Sequence, residues 1–310
     1  MSISLPDIVA AQQRIAHMVL RTPVIEDPTG TGLMLKAEYL QRTGSFKLRG
    51  AANRVIKAVE EGARHVVTGS SGNHGQAVAY VAQQLGIRAT VVVPEDANPV
   101  KVRGMQQYGA TVEFCGLTSN ERLARAAEIT RTEGAVFVPP YDDPFVMAGQ
   151  GTAGLEMLAQ APAVQTVYVP IGGGGLISGV ATAIKESNPQ VRVVGVEPEL
   201  ANDTYLSRQQ GAVVDIGASR TIADGLRTSH PGTLTFPIVQ RYVDEIQLVS
   251  EAEIRRACRY LLLTMKQVVE PSGAVSVAAA LRAGAGPAVA LVSGGNLDLD
   301  AVAGVPAWEV

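Results

Sequence analysis

Apolar positions along this chain fall into two alternating patterns. Compact Val-rich runs stand at His65–Thr68, Ala89–Val93, Thr111–Phe114, Ala135–Val138, Val167–Pro170, Val191–Glu197 and Ala288–Val292. They are short and apolar at successive positions, as a strand covered on both faces requires. Between them lie longer stretches with helical spacing: Gly75–Leu85, Pro99–Tyr108, Glu121–Thr132, Phe145–Ala159, Gly175–Glu186 and Ala252–Val268. Thr118-Ser-Asn-Glu121 and Ser250-Glu-Ala-Glu253 have the form of capping boxes at two helix starts. The alternation predicts open, mostly parallel α/β sheets. Met157 to Ile184 carries no charge, yet Gln160, Pro162, Gln165, Pro170 and four consecutive glycines would break a membrane helix there. It reads as a helix end, a buried strand, a loop and a helix start.

Open α/β sheets bind ligands at the carboxyl ends of their strands. Three polar, glycine-rich turns follow three of the predicted strands: Ser70-Ser-Gly-Asn-His-Gly75, Gly172–Gly175 and Ser293-Gly-Gly-Asn296. One convergent polar pocket is expected from them. Four glycines between a strand and a helix let successive N–H groups and the helix N-terminus cradle a phosphate; a flexible turn is the plainer alternative. No G-x-G-x-x-G or P-loop lysine accompanies them. Ser71 and Asn73 precede a helix and are either caps or part of a turn whose free N–H groups hold a carboxylate. Lys47, in Ser45-Phe46-Lys47, would ordinarily be a solvated surface group. Alongside a phosphate cradle and no other evident nucleophile, it is the candidate for a buried amine that condenses with an aldehyde cofactor. Glu197, the Ala201 carbonyl and Asp203 suit a hard divalent cation, Mg²⁺ or Ca²⁺, or are simply an acidic surface loop.

Composition narrows the classes. The chain has 310 residues, room for two domains, with 46% hydrophobic and 18% charged residues and a formal charge of −3. No footprint for nucleic acid or an anionic membrane is present. Two cysteines exclude a disulfide scaffold, and both read as buried small hydrophobes. The N-terminus lacks the basic and apolar regions of a signal peptide, so a cytoplasmic protein is expected.

Seven pieces, in order, resemble the fold-type II (tryptophan synthase β-like) pyridoxal-phosphate enzymes, and more closely the serine/threonine dehydratase and serine racemase family. They are Gly-Ser-Phe-Lys-Leu-Arg-Gly (44–50), Ser-Ser-Gly-Asn-His-Gly (70–75), Ala-Gly-Gln-Gly-Thr (148–152), Gly-Gly-Gly-Gly-Leu (172–176), Thr-Ile-Ala-Asp-Gly (221–225), Val-Glu-Pro-Ser-Gly-Ala (269–274) and Ser-Gly-Gly-Asn (293–296). The resemblance spans nearly the whole chain. It implies two open, mostly parallel sheets flanked by helices, with a large pyridoxal-phosphate-binding domain from residues 1–50 and 145–310 and a small inserted α/β domain from 51–144. It also implies a homodimer.

The resemblance further implies roles. Lys47 would be the Schiff-base lysine and, once freed, would take the α-proton on one face. Phe46 would pack on the cofactor ring, Asn73 would bond the ring oxygen, and Gly172, Gly173, Gly174, Gly175 and Leu176 would hold the phosphate. Gly225 and Glu270 would line the ring edge and Ser293 would meet the pyridine nitrogen. Ser70, Ser71, Asn73 and His74 would hold the substrate carboxylate, and Glu197, Ala201 and Asp203 a divalent cation. The implied activity is β-elimination from a β-hydroxy amino acid, L-threonine or L-serine, giving a 2-oxo acid and ammonia. A hydroxyl at Ser71 keeps a serine- or aspartate-type racemase open, and dehydratases of 3-hydroxyaspartate or phenylserine are further alternatives. Gly69 departs from the bulkier residue expected of animal racemases. Nothing after Val310 would serve as a regulatory amino-acid-binding domain, so feedback through one is not expected. From another class, a catalytically silent phosphate- or amino-acid-binding protein remains. The side chains that select the β-substituent are sought around Pro139, Pro140 and Tyr141.

Overall fold

The computed structural model describes residues 2–297 except 71, 98, 118 and 285. Two sheets organise it. The larger takes strands from both ends of the chain, in the order β1 (Val24–Glu26), β2 (Leu33–Ala37), β10 (Ala288–Val292), β7 (Thr166–Pro170), β8 (Arg192–Pro198) and β9 (Glu245–Val249). All of its pairings are parallel except β1 with β2. The smaller is wholly parallel and lies within 65–137, in the order β5 (Thr111–Phe114), β4 (Arg88–Val93), β3 (His65–Gly69) and β6 (Val136–Phe137). The predicted α/β class with two mostly parallel sheets is what the chain adopts. The central strands are buried along almost their whole length, which is why their sequences are continuous rather than alternating.

Helices α1 (Leu5–Ile15), α2 (Lys47–Glu60), α3 (Asn73–Leu85), α4 (Pro99–Gln107), α5 (Ser119–Glu133), α6 (Pro144–Gln160), α7 (Gly175–Ser187), α8 (Asp203–Gln210), α9 (Thr235–Tyr242), α10 (Glu251–Leu263) and α11 (Pro271–Ala283) cover the sheets. Met157–Ile184 resolves as predicted into the end of α6, β7, a loop and the start of α7. The Ser250–Glu253 capping box forms: Ser250 Oγ accepts from the Glu253 N–H, and Glu253 accepts from the Ser250 N–H at 2.8 Å. Thr118 lies outside the described residues. Helix α10 stops at Leu263, short of the predicted Val268, because Lys266 turns to a φ of 58° that no helix interior accepts. No helix among the described residues is long and apolar enough to cross a membrane. Cys258 is buried as expected, whereas Cys115 is only partly covered.

Helix α2 matters most for the site, because Lys47 is its first residue. Two features fix it. It crosses α6 where Gly50 meets Gly149: a Cβ on Gly50 would fall 2.8 Å from the Val146 carbonyl, and Gln150 Oε1 accepts from the Gly50 N–H at 3.2 Å. The 148–152 motif is therefore a helix crossing. Behind it, the fully buried Arg49 is bonded to Glu38 after β2 and to Glu156 on α6, each at 2.8 Å, and Lys36 on β2 closes the group on Glu156 at 2.6 Å. Two positive and two negative charges, each paired and hydrogen-bonded, can be buried together where one alone could not.

Candidate active site

The carboxyl ends of β2, β3, β7 and β10 point to one cavity of about 270 Å³. It is lined by Phe46, Lys47, Ser70, Asn73, His74, Gly172–Gly175, Leu176, Gly225, Glu270 and Ser293, so the residues singled out in separate motifs meet. Ser71, expected among them, lies outside the described residues. Residues 45 and 293–294 are tied directly: Ser45 bridges Gly294, and the Phe46 N–H donates to the Ser293 carbonyl at 3.0 Å.

Lys47 is not the solvated group an isolated lysine would be. Its Nζ donates to the Pro140 carbonyl at 2.8 Å and lies 5.3 Å from the centre of the Phe46 ring. Burial lowers its pKa to about 8, because an enclosed ammonium loses hydration that these neighbours only partly replace. His74 is pushed down to about 3 by burial and by the nearby Lys47 charge. It is neutral at physiological pH, with Nε2 3.0 Å from the Val138 carbonyl, which fixes the proton on that nitrogen. Nδ1 is then an acceptor, buried and without a hydrogen-bond partner among the described residues.

The 172–175 loop enters α7. Gly174 has a φ of 90°, and a Cβ there would sit 2.7 Å from Thr235 Oγ1. Gly173 and Gly175 both face Tyr141, whose ring and Cβ would collide with any side chain at either position. The loop is thus held by Tyr141 and Thr235 rather than left flexible, with the unpaired N–H groups of the first helical turn at its end.

Across the cavity, α3 begins at Asn73 with Gly72 as N-cap and no capping side chain. The capping reading of Asn73 is therefore wrong: its Nδ2 donates to Glu270 Oε1 at 2.7 Å, and its Oδ1 accepts from Asn296 at 2.8 Å. Ser70 Oγ accepts weakly from the Gly72 N–H at 3.4 Å. Glu270 is raised to about 7 by burial and by Asp224. Ser293 is buried, with its hydroxyl 3.4 Å from the Ser272 carbonyl.

A family model described as pyridoxal-phosphate dependent enzyme matches residues 15–294. The chain belongs to that family. It is 44% identical over 302 residues to the L-threonine ammonia-lyase of Geobacter sulfurreducens, covering 94% of this chain and 75% of that protein. It is 41% identical over 312 residues to the catabolic L-threonine dehydratase of Escherichia coli K12, covering 97% of this chain and 95% of that one. Among solved structures, maize serine racemase superposes with a TM-score of 0.94 at 38% identity, over 97% of this chain and 96% of that one.

The cavity suits the family's cofactor. A glycine loop that side chains would fill faces an enclosed amine of lowered pKa and a buried neutral hydroxyl. Glu197, Ala201 and Asp203 do not line it. They are buried, at 0%, 1% and 0% exposure, so they are not an acidic surface loop. Glu197 already accepts from the N–H groups of Thr204 and Tyr205 at the start of α8, at 3.0 and 2.8 Å. No group of three or more His, Cys, Asp or Glu side chains suited to a metal occurs among the described residues. Thr228 on the cavity wall reaches Asp203 at 3.4 Å. The motifs did not signal Lys101 or Arg122, nor Tyr141 as a wall of the glycine loop, and they gave no role to Asp224 inside the 221–225 motif; all four line the cavity. The long side chains reach it from α4 and α5, far from any motif.

Proposed function

We propose that this chain is a pyridoxal-phosphate-dependent ammonia-lyase of L-threonine and L-serine, releasing a 2-oxo acid and ammonia. One observation carries the reading: the enclosed Lys47 amine, the 172–175 glycine loop and the Ser293 hydroxyl meet in a single cavity. The high identity to enzymes named for threonine deamination, over nearly the whole chain, supports the substrate. Bound pyridoxal phosphate supplies an electron sink for the pair left at the α-carbon when its proton departs.

The chain's residues divide the remaining work. The N–H groups of Gly172–Leu176 and the positive end of α7 receive the phosphate. Lys47 Nζ, partly neutral near pH 8, holds the cofactor and then accepts the α-proton. Phe46 would pack on the cofactor ring, with Gly225 and Glu270 at its edge, since all three line the cavity. The substrate carboxylate lies at the N-terminus of α3, received by the donors of the Ser70, Ser71, Asn73 and His74 segment, His74 through its backbone N–H because its ring proton is committed to Val138, and by the positive end of the helix dipole. Ser293 offers the ring nitrogen a hydroxyl, which does not stabilise a protonated pyridine as a carboxylate would. Ser293 would therefore leave the bound cofactor a weaker electron sink than a carboxylate partner would, which suits loss of a β-hydroxyl.

Loaded protein incubated with L-threonine should give 2-oxobutanoate and ammonia in equal amounts. Absence of a 2-oxo acid from threonine, serine and other β-hydroxy amino acids sinks the assignment. D-serine formed from L-serine without pyruvate would transfer it to a racemase, with Ser71 as the second base.

We further propose a divalent cation, Mg²⁺ or Ca²⁺, between Glu197, the Ala201 carbonyl and Asp203, and a homodimer. Two neighbouring buried carboxylates without a cationic side chain bonded to either support the first among the described residues. Exposed Leu20, Leu40 and Val268 around Tyr39 and Gln41 support the second. Chelator should lower the melting temperature and Mg²⁺ or Ca²⁺ restore it; an unchanged melting curve counts against the cation. Light scattering at the monomer mass counts against the dimer.

A further inference from the structure

We propose that Asn296 is a positioning residue that decides which end of the Asn73 amide faces the cofactor pocket. This rests on the reading above, in which Asn73 borders the bound cofactor. The Thr43 carbonyl oxygen can only accept a hydrogen bond. Asn296 Nδ2 lies 2.8 Å from it, so the amino end of Asn296 is turned that way. The same nitrogen lies 2.8 Å from Asn73 Oδ1. An amino group only donates, so the atom it faces on Asn73 must be the oxygen. The amino end of Asn73 is thereby directed to Glu270 Oε1 at 2.7 Å, and its second N–H is left for the cavity that Asn73 lines.

A side-chain amide keeps nearly the same shape when turned by 180°, so shape alone does not set its polarity. Glu270 sets it only when ionised. Burial and Asp224 raise its carboxyl pKa to about 7, so near neutral pH it is also present protonated, and a protonated carboxyl offers a donor as well as an acceptor. The fixed backbone carbonyl of Thr43, acting through Asn296, makes the same choice in both forms. The space is reserved for this relay: a Cβ on Gly294 would collide with the Glu270 carboxylate and lie 3.2 Å from Asn73 Nδ2. In this orientation Asn73 presents a donor to an electron-rich oxygen on the cofactor ring. Turned round, it would present a carbonyl and repel it.

The near-isosteric Asn296→Asp reverses the relay, since a carboxylate facing Asn73 draws its amino end away from Glu270. Asn296→Ala removes the anchor without reversing anything. Pyridoxal phosphate is titrated into each apo-protein, following the visible absorption band and the dissociation constant, with thermal unfolding measured alongside. N296D should bind the cofactor about tenfold or more weaker, the worth of a hydrogen bond to a charged oxygen, and displace the band. N296A should show a smaller change in the same direction. A merely structural role predicts the opposite order, because alanine removes more packing. Wild-type affinity and band in N296D, or a larger effect in N296A than in N296D, overturns the proposal. If N296D does not fold, N296A decides alone: an unchanged band and affinity overturn it. A wild-type protein that takes up no cofactor refutes instead the function on which this inference rests.

Discussion

Burying an amine changes what it can do at neutral pH. The charged form loses more on leaving water than the neutral form, so burial carries the Lys47 pKa down from the ordinary lysine value towards about 8. Only the neutral amine is a nucleophile towards an aldehyde. Uptake of pyridoxal phosphate by the apo-protein should therefore accelerate as pH rises and level off above about 8, rather than continuing to climb towards the lysine reference of about 10.4. Stopped-flow absorbance across that range measures it; a rate that keeps climbing well past pH 8 would mean that the cavity does not desolvate Lys47. Lys47→Arg retains a positive charge that is never given up, so it should abolish both covalent uptake and deamination while binding the phosphate end of the cofactor. His74, held neutral at all working pH values, should add no inflection between about pH 5 and 8.

At the scale of elements, the chemistry depends on how firmly α2 is seated. Arg49, two residues into that helix from Lys47, uses its Nε and both terminal nitrogens on Glu38, Thr152 and Glu156, entirely out of water. Arg49→Ala leaves two carboxylates facing only Lys36, and breaking a buried group on one side costs about 3–5 kcal/mol. Urea denaturation should register that loss. Arg49→Lys should recover only part of it, because one ammonium does not span two carboxylates. None of this was visible in the hydropathy pattern, which carries no sign that Arg49 and Lys36 are buried. The same pattern missed α2 and α11. Helix α11 is built largely from Ala, Gly, Val and Ser and is buried on several faces, so it shows no one-sided apolar stripe, whereas the stripe of α2 is broken by Arg49 and Asn53, polar residues that stand on its buried side. It missed β9 because Glu245–Val249 is an edge strand, only partly covered along its length. The central strands and their glycine-rich ends were legible because burial on both faces and tight turns restrict the residues that fit. Lys101 and Arg122, which reach the cavity across space from α4 and α5, were not, since nothing local in their sequence depends on the pocket.

Across the whole molecule, the cavity lies between the two sheets, and one contact spans its mouth. Lys101 on α4, beside the four-stranded sheet, pairs at 2.5 Å with Asp224 in a 3₁₀ turn packed on the six-stranded one, and both side chains line the cavity. At 22% and 40% exposure the pair is wet enough that its contribution to stability should stay within about 1 kcal/mol. Its effect on the site should be larger than its effect on the fold. Holding α4 against the turn narrows the opening and keeps water from a reaction that releases a reactive, hydrolysable product. Lys101→Met should thus leave the melting temperature nearly unchanged while raising KM for threonine severalfold, with a smaller fall in kcat. Salt should weaken the wild type towards the variant, because an exposed pair is screened within a Debye length of about 8–10 Å. The charge-exchanged double variant Lys101→Asp with Asp224→Lys restores the attraction but not the residues, so recovery of KM in it would isolate the ion pair as the cause. Equal KM values in wild type and Lys101→Met at low salt would show that the two halves of the molecule are held together over the site by packing alone.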